Sequence, residues 1–211
     1  MIPASKALER LIEGNRRFVS DHRGQDVITD SSQRGELAAG QEPFAVILGC
    51  SDSRVTPEII FDQGPGNLFV IRIVGNIASL SQIGSIEFAV ERLGTQLVVV
   101  LGHSMCGAIL ATLEEIERPT EDLSPNFRSL IDHIRPSVDM LLSTTLPEIP
   151  DGLIQQAVRA NIRTSAEKLR NGSRILEQRI RNNRVLVTGA EYSLDTGIVD
   201  FLDGPPETGL T

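Results

Sequence analysis

The chain of 211 residues is 40% apolar and 23% charged, with a formal net charge of −8, which is the profile of one folded globular domain and not of a disordered tail. That acidity argues against nucleic acid as a partner, since such binding needs a basic face. No apolar run approaches the roughly eighteen residues that cross a bilayer, so no membrane span is expected.

In chain order, the N-terminal stretch IPASKALERLIEGNRRF reads as an amphipathic helix. Ser5 is its expected cap, and Leu8, Leu11, Ile12 and Phe18 mark one face. It lacks the basic stub and apolar core of a secretory signal, so the expected compartment is the cytoplasm, leaving aside a leader already removed. The two cysteines of the chain then point to a metal site or a catalytic thiol before a disulfide. Residues 22–35 are loop, and a short helix near Glu36 to Ala39 closes before Gly40.

Phe44 to Leu48 is an apolar, partly β-branched run that predicts a buried parallel strand. Gly49 ends it, and Cys50, Asp52 and Arg54 follow at alternating positions. Pro57 starts a short helix, and Gly64-Pro65-Gly66 is a turn. A second strand spans Leu68 to Ile73, interrupted by Arg72, and Gly75-Asn76 turns the chain. Helical spacing runs from Ser81 to Leu93. The third strand, Gln96 to Leu101, ends at Gly102, and His103-Ser104-Met105-Cys106-Gly107 comes next. A helix is expected from Cys106 to Glu117. Interrupted helical segments follow the loop at Pro119 to Pro125 and run to Asn182. The fourth strand is Val185 to Thr188, and Glu191 to Phe201 forms a hairpin-like piece around Asp195-Thr196-Gly197. Strands alternating with helices predict an α/β fold with a mostly parallel sheet covered on both faces. No repeat or internal domain boundary is visible.

Both cysteines stand just past a predicted strand, where open α/β sheets place their ligands. Two thiolates and an imidazole suit zinc, and three protein ligands leave a fourth position open for catalysis. His103 and Cys106 are three apart, so at the start of a helix they are expected to share a face. Cys50 must come from the neighbouring strand end. Asp52 is placed to accept a hydrogen bond from a metal-bound hydroxide, with Arg54 orienting it through a bidentate pair; the alternative is that Asp52 becomes the fourth ligand and closes the site.

The pattern CSDSR followed by HSMCG resembles the β-class carbonic anhydrases. The likeness covers nearly the whole chain, through PEIIFDQGPGNLFVIR, GSIEFAVERLG, VVVLGHSMCGA and TGAEYSLDTGIVDFL. The resemblance implies one Zn2+ per chain on Cys50, His103 and Cys106, and a catalytic dyad of Asp52 and Arg54. It implies a substrate pocket of Gln41, Phe69, Val74, Phe88 and Gly107, the last through its N–H. The implied fold is a mostly parallel central sheet with an antiparallel edge strand and helices on both faces, with an N-terminal helical arm (1–42) before the α/β core (43–211). The implied reaction is reversible hydration of CO2 to bicarbonate by zinc-bound hydroxide. The implied assembly is a homodimer or dimer-based oligomer whose pockets draw residues from both subunits.

Three departures stand out. Many members read Arg-Asn-x-x-Asn where this chain has Arg72-Ile73-Val74-Gly75-Asn76. Phe88 replaces a tyrosine found in some. Ile47 stands where the bicarbonate-inhibited, aspartate-closed members often carry tryptophan, so the open, water-bearing form is expected.

Singly, each piece has a plainer explanation. A cysteine after a strand is usually a small buried hydrophobe, a histidine by a turn is usually structural, and Phe69, Val74 and Phe88 would be core. It is their joint spacing that favours zinc. The rival readings are a COS or CS2 hydrolase of the same family, a zinc-containing scaffold without turnover, and a dithiol switch of Cys50 and Cys106.

Overall fold

Five apolar runs pair into one sheet in a computed structural model that describes residues 2–22, 24, 35, 37–144 and 152–203. The strands are β1 (Ala45–Gly49), β2 (Leu68–Arg72), β3 (Leu97–His103), β4 (Leu186–Tyr192) and β5 (Val199–Phe201). Their spatial order is β2-β1-β3-β4-β5. The first four are parallel and β5 is an antiparallel edge, as the sequence leads one to expect. The hairpin into β5 turns at Gly197, whose φ of 75° suits glycine.

Alternation along the strands decides which helix covers which face. Val46 and Leu48 of β1, Val98 and Val100 of β3 and Val187 of β4 share one core. It is closed by α3 (Leu80–Arg92), α4 (Gly107–Glu117), α5 (Pro125–Thr144), α6 (Leu153–Asn171) and α7 (Arg174–Arg181). Ala45, Ile47, Leu97, Val99, Leu101 and Ala190 point the other way, against α1 (Ala4–Val19) and the residues around α2 (Pro57–Ile60). Leu8 and Leu11 of α1 are almost fully buried there, each contributing about 1.5–3 kcal/mol by leaving water.

The first helix begins at Ala4, earlier than its sequence signal, with Pro3 at the cap position and no side-chain cap. Ser5 therefore lies inside the first turn, because the rigid φ of Pro3 already sets the helix entry. Gly14 lets α1 come close to the end of α2: a Cβ there would stand 1.9 Å from the Phe61 carbonyl oxygen. Next to it Asn15 donates to the carbonyls of Ile60 and Gly197 and accepts from the Val199 N–H, joining α1 to both ends of the fold.

The third and fourth strands run farther than the apolar pattern suggests. Each continues past its valine run, because the parallel ladder between them holds from Leu97↔Leu186 through His103↔Tyr192. Helix α6 packs closely over these strands where glycines sit, since Cβ atoms at Gly102 or Gly189 would meet the Ile162 side chain at 2.6 and 2.7 Å. The break between α6 and α7 is closed by Ser173, whose hydroxyl accepts from the Leu176 N–H. Of the short helix expected near 36–39, Leu37, Ala38 and Ala39 are helical, whereas most of residues 22–35, expected to be loop, lie outside the described residues. Among the described residues no helix is long and apolar enough to cross a membrane.

Candidate metal centre

The register of the sheet brings the site together. Strands β1 and β3 are parallel neighbours with Gly49 opposite Leu101, so the chain leaves both at the same edge. Cys50 is the first residue beyond β1. His103 is the last residue of β3, and Cys106 stands at the N-cap of α4. This corrects the expectation of a shared helical face. The two candidate ligands are a strand end and a helix cap, joined by a turn in which Met105 takes a φ of 53°. The turn is pinned by Ser104, whose N–H donates to the Tyr192 carbonyl and whose hydroxyl accepts from the Leu194 N–H.

The Sγ of Cys50, the Sγ of Cys106 and a ring nitrogen of His103 lie within 4.8 Å of one another, all three side chains buried. The two sulfurs are 4.0 Å apart. Nδ1 of His103 lies 2.9 Å from the Ser104 carbonyl oxygen and, as donor there, leaves Nε2 with its lone pair free. That Nε2 is buried and has no hydrogen-bond partner. A buried nitrogen left orphaned beside two thiols is what a metal ligand looks like, and its ring partner on a backbone carbonyl is the usual orienting bond. Sulfur and imidazole together suit zinc. The donor set therefore fits the ion.

The thiols are strongly coupled. The hydrogen bond from the Cys106 thiol pulls Cys50 down to about 4, against the cost of burial. Cys106 is pushed well up by that same bond to Cys50 and by burial. Cys50 also accepts the Gly75 N–H at 3.4 Å.

Asp52 is held by Arg54. Nε of Arg54 donates to Oδ1 at 3.0 Å and Nη2 to Oδ2 at 2.7 Å, while the Arg54 backbone N–H also donates to Oδ1. The guanidinium holds the Asp52 carboxyl below the usual carboxylate range. Its Oδ2 also lies 3.9 Å from Nε2 of His103, so the carboxylate faces the ligand cluster while bonded to arginine.

Arg72, expected only as an interruption of the second strand, belongs to this site. Its Nε donates to the Cys50 carbonyl at 3.0 Å and its Nη2 to the Asp52 carbonyl at 2.6 Å, fixing the loop that carries both residues. The available signal was a charged residue inside an otherwise apolar strand.

The pocket residues divide. Gly107 opens α4 beside Cys106, where helix geometry leaves its N–H without an intrahelical acceptor. Val74 follows β2 at the same sheet edge and is 36% exposed. Gln41 is exposed and precedes β1, on the side opposite Cys50. Phe69 is opposite Val46 near the start of its strand, and its ring is 6.4 Å from that of Phe88, which is half exposed. A single chain thus gathers Cys50, His103 and Cys106, the Asp52–Arg54 pair, Val74 and Gly107, and leaves Gln41 and the two phenylalanines toward the other end of the strands. His22 and His133 hydrogen-bond to backbone carbonyls close in sequence and stand outside the cluster.

Comparison with known proteins points the same way. The carbonic anhydrase family profile matches residues 45–199. The chain is 40% identical to carbonic anhydrase 2 of Mycobacterium tuberculosis over 93% of this chain and 90% of that one. It is 34% identical to a carbonic anhydrase of Mycolicibacterium smegmatis over 95% and 92%. Among solved structures, a Coccomyxa β-carbonic anhydrase in complex with acetazolamide superposes with a TM-score of 0.73 at 27% identity, covering 92% of this chain and 86% of that one.

Proposed function

Because the chain belongs to the β-class carbonic anhydrases, enzymes that hydrate carbon dioxide, we propose that it does so with one zinc ion held by Cys50, His103 and Cys106. The observation that carries this reading is the buried, partnerless Nε2 of His103 set against two thiols 4.0 Å apart. When bound there, zinc would supply a Lewis acid that lowers the pKa of water to about 7.

The chain's own groups do the rest. Asp52, kept ionised by Arg54, accepts the hydrogen bond of the attacking water and so aims its lone pair at the substrate carbon. The bidentate pair also ties up both carboxylate oxygens, which supports the open site over one closed by Asp52 as fourth ligand. The Gly107 N–H, at the positive end of α4, orients an oxygen of CO2. Val74 supplies apolar wall for a substrate with no charge.

Gln41, Phe69 and Phe88 complete the pocket from a second copy of the chain. Their placement away from the ligands of their own protomer supports that assembly, a homodimer or a multiple of it. Two thiols that must stay reduced to serve as ligands suit a reducing compartment, so the cytoplasm is the proposed location.

The test is metal analysis and stopped-flow CO2 hydration as a function of pH on the same protein. One zinc per chain with turnover present near pH 7 is the expected result. Turnover appearing only above about pH 8, past the usual zinc-water range, would overturn the open site in favour of closure by Asp52. Metal-loaded protein inert at every pH would overturn CO2 hydration.

A further inference from the structure

Behind Cys50 the structure holds a second layer of polar groups that the reaction does not touch. Among the described residues, three buried side-chain atoms lack a hydrogen-bond partner: Nε2 of His103, Nδ2 of Asn76 and Oδ1 of Asn161. The first is a proposed ligand atom. The other two flank Gly75, whose N–H donates to Cys50 Sγ at 3.4 Å and whose carbonyl accepts from Asn161 Nδ2 at 2.8 Å. Asn161 lies on α6, remote in sequence from both cysteines, and is 1% exposed.

Gly75 is held tightly. Its φ of 72° is one that side-chain-bearing residues rarely adopt, and a Cβ would meet Ile134 at 2.7 Å and Ala108 at 3.2 Å. Helices α4 and α5 therefore wall the glycine in, and α6 fixes its carbonyl through Asn161. The direction of the Gly75 N–H follows from these constraints. A buried amide that spends one hydrogen bond on a carbonyl and leaves its own oxygen unpaired is poor material for stability alone. It makes sense where the carbonyl it holds must not move.

We propose that Asn161 is a positioning residue for the metal centre: by holding the Gly75 carbonyl it locks the backbone of that walled-in glycine, whose own N–H, one peptide plane earlier, is thereby kept on the Cys50 sulfur, fixing the thiolate's orientation and drawing off part of its charge. This rests on the assignment of Cys50 as a zinc ligand. Outer-shell partners of this kind set metal affinity by roughly ten- to a hundredfold. Asn161 touches neither metal nor substrate.

The test compares Asn161→Asp, which keeps the shape but loses the donor, and Asn161→Ala with the unmutated protein. Ser165→Ala serves as control, because it perturbs another buried polar residue of α6 that makes no bond to Gly75. Zinc affinity is read by chelator competition, and the cobalt-substituted forms are read by the energy of their thiolate-to-metal charge-transfer band. Both Asn161 variants should bind zinc about ten- to a hundredfold more weakly, with the cobalt band moved to lower energy because a sulfur without its N–H partner gives up charge more easily. Ser165→Ala should lower thermal stability and leave both readings unchanged.

Asn161 variants that lose thermal stability but keep wild-type zinc affinity and an unshifted band would reduce Asn161 to a helix-docking residue and overturn the proposal. A second measurement needs no variant. In the unmutated chain loaded with cadmium-113, the Gly75 amide proton should show scalar coupling to the metal through Cys50 Sγ, and its absence would also overturn the proposal. If the unmutated chain takes up no stoichiometric metal, the zinc assignment itself falls and this inference with it. Full loading with unaltered Asn161 variants sinks the positioning role alone.

Discussion

Two buried asparagines, Asn15 and Asn161, hold distant parts of the chain together in opposite ways. Asn15 uses both ends of its amide: Nδ2 donates to Ile60 and Gly197 carbonyls at 3.2 and 2.9 Å, and Oδ1 accepts from Val199 at 2.9 Å. It is a saturated clamp between α1, the end of α2 and the edge strand. Asn161 donates once and leaves its oxygen unpaired, as Nδ2 of Asn76 and Nε2 of His103 also are. Every partnerless buried side-chain atom among the described residues thus belongs to the metal centre or to the layer behind it. Stability was built where the polar groups are satisfied and conceded around the candidate site, where a ligand atom of His103 and two supporting amides go without partners.

The sharpest way to break that contrast is to remove a ligand. His103→Ala should take zinc content from one per chain to background and cut CO2 hydration by at least about a thousandfold, since the acidified water goes with the metal. Metal analysis with full occupancy would refute the assignment. Next in size, Asp52→Asn should retain the zinc while lowering kcat/KM by roughly a hundredfold, the scale of a lost proton-handling group. Stopped-flow turnover equal to wild type would show that the dyad is dispensable.

Asn15→Ala probes the other side of the comparison. It strands two carbonyls and one N–H and should cost about 2–3 kcal/mol of stability, a fall of roughly 4–12 °C in Tm for a chain of this size. Zinc content should be untouched. If metal affinity fell with stability, the two regions would not be separable in the way drawn here.

The smallest effect is on acid stability. The Asp52 carboxyl is held below its ordinary value, first by the side-chain bonds from Arg54. A group depressed on folding contributes stability that is present above its unfolded pKa, about 3.9, and lost as pH falls through the folded value. The Tm gap between wild type and Asp52→Asn should therefore stay level from pH 8 to pH 5 and shrink below about pH 4. A gap that instead closed between pH 5 and pH 8 would contradict the direction of the shift.

Much of this was legible in the chain. Apolar runs ending at Gly49 and Gly102 announced two strands with chemistry at their ends, because a fully buried parallel strand leaves a continuous apolar signature. Boundaries were less legible. The third strand reaches His103 because the ladder to β4 carries polar and small residues that no hydropathy pattern distinguishes from a turn. That extension turns the expected helical pairing of His103 and Cys106 into a strand end meeting a helix cap. Arg72 gave only the hint of a charge in a strand, and its two backbone acceptors lie on another strand's loop. Asn161 gave none, since an asparagine in an amphipathic helix looks the same whether it faces solvent or a glycine carbonyl.

The candidate donors Cys50, His103 and Cys106, the nearby Asp52 and Arg54, and the alternation of strands with helices were all readable along the chain, since they depend on residue identity and on local periods of hydrophobicity. Only the packing of the folded chain makes β1 and β3 neighbours, sets Gly75 between three helices with its N–H on Cys50, and brings Arg72 onto the Cys50 and Asp52 carbonyls. Those facts depend on register and on contacts between residues remote along the chain, and a local pattern carries no record of which distant partner packing will supply.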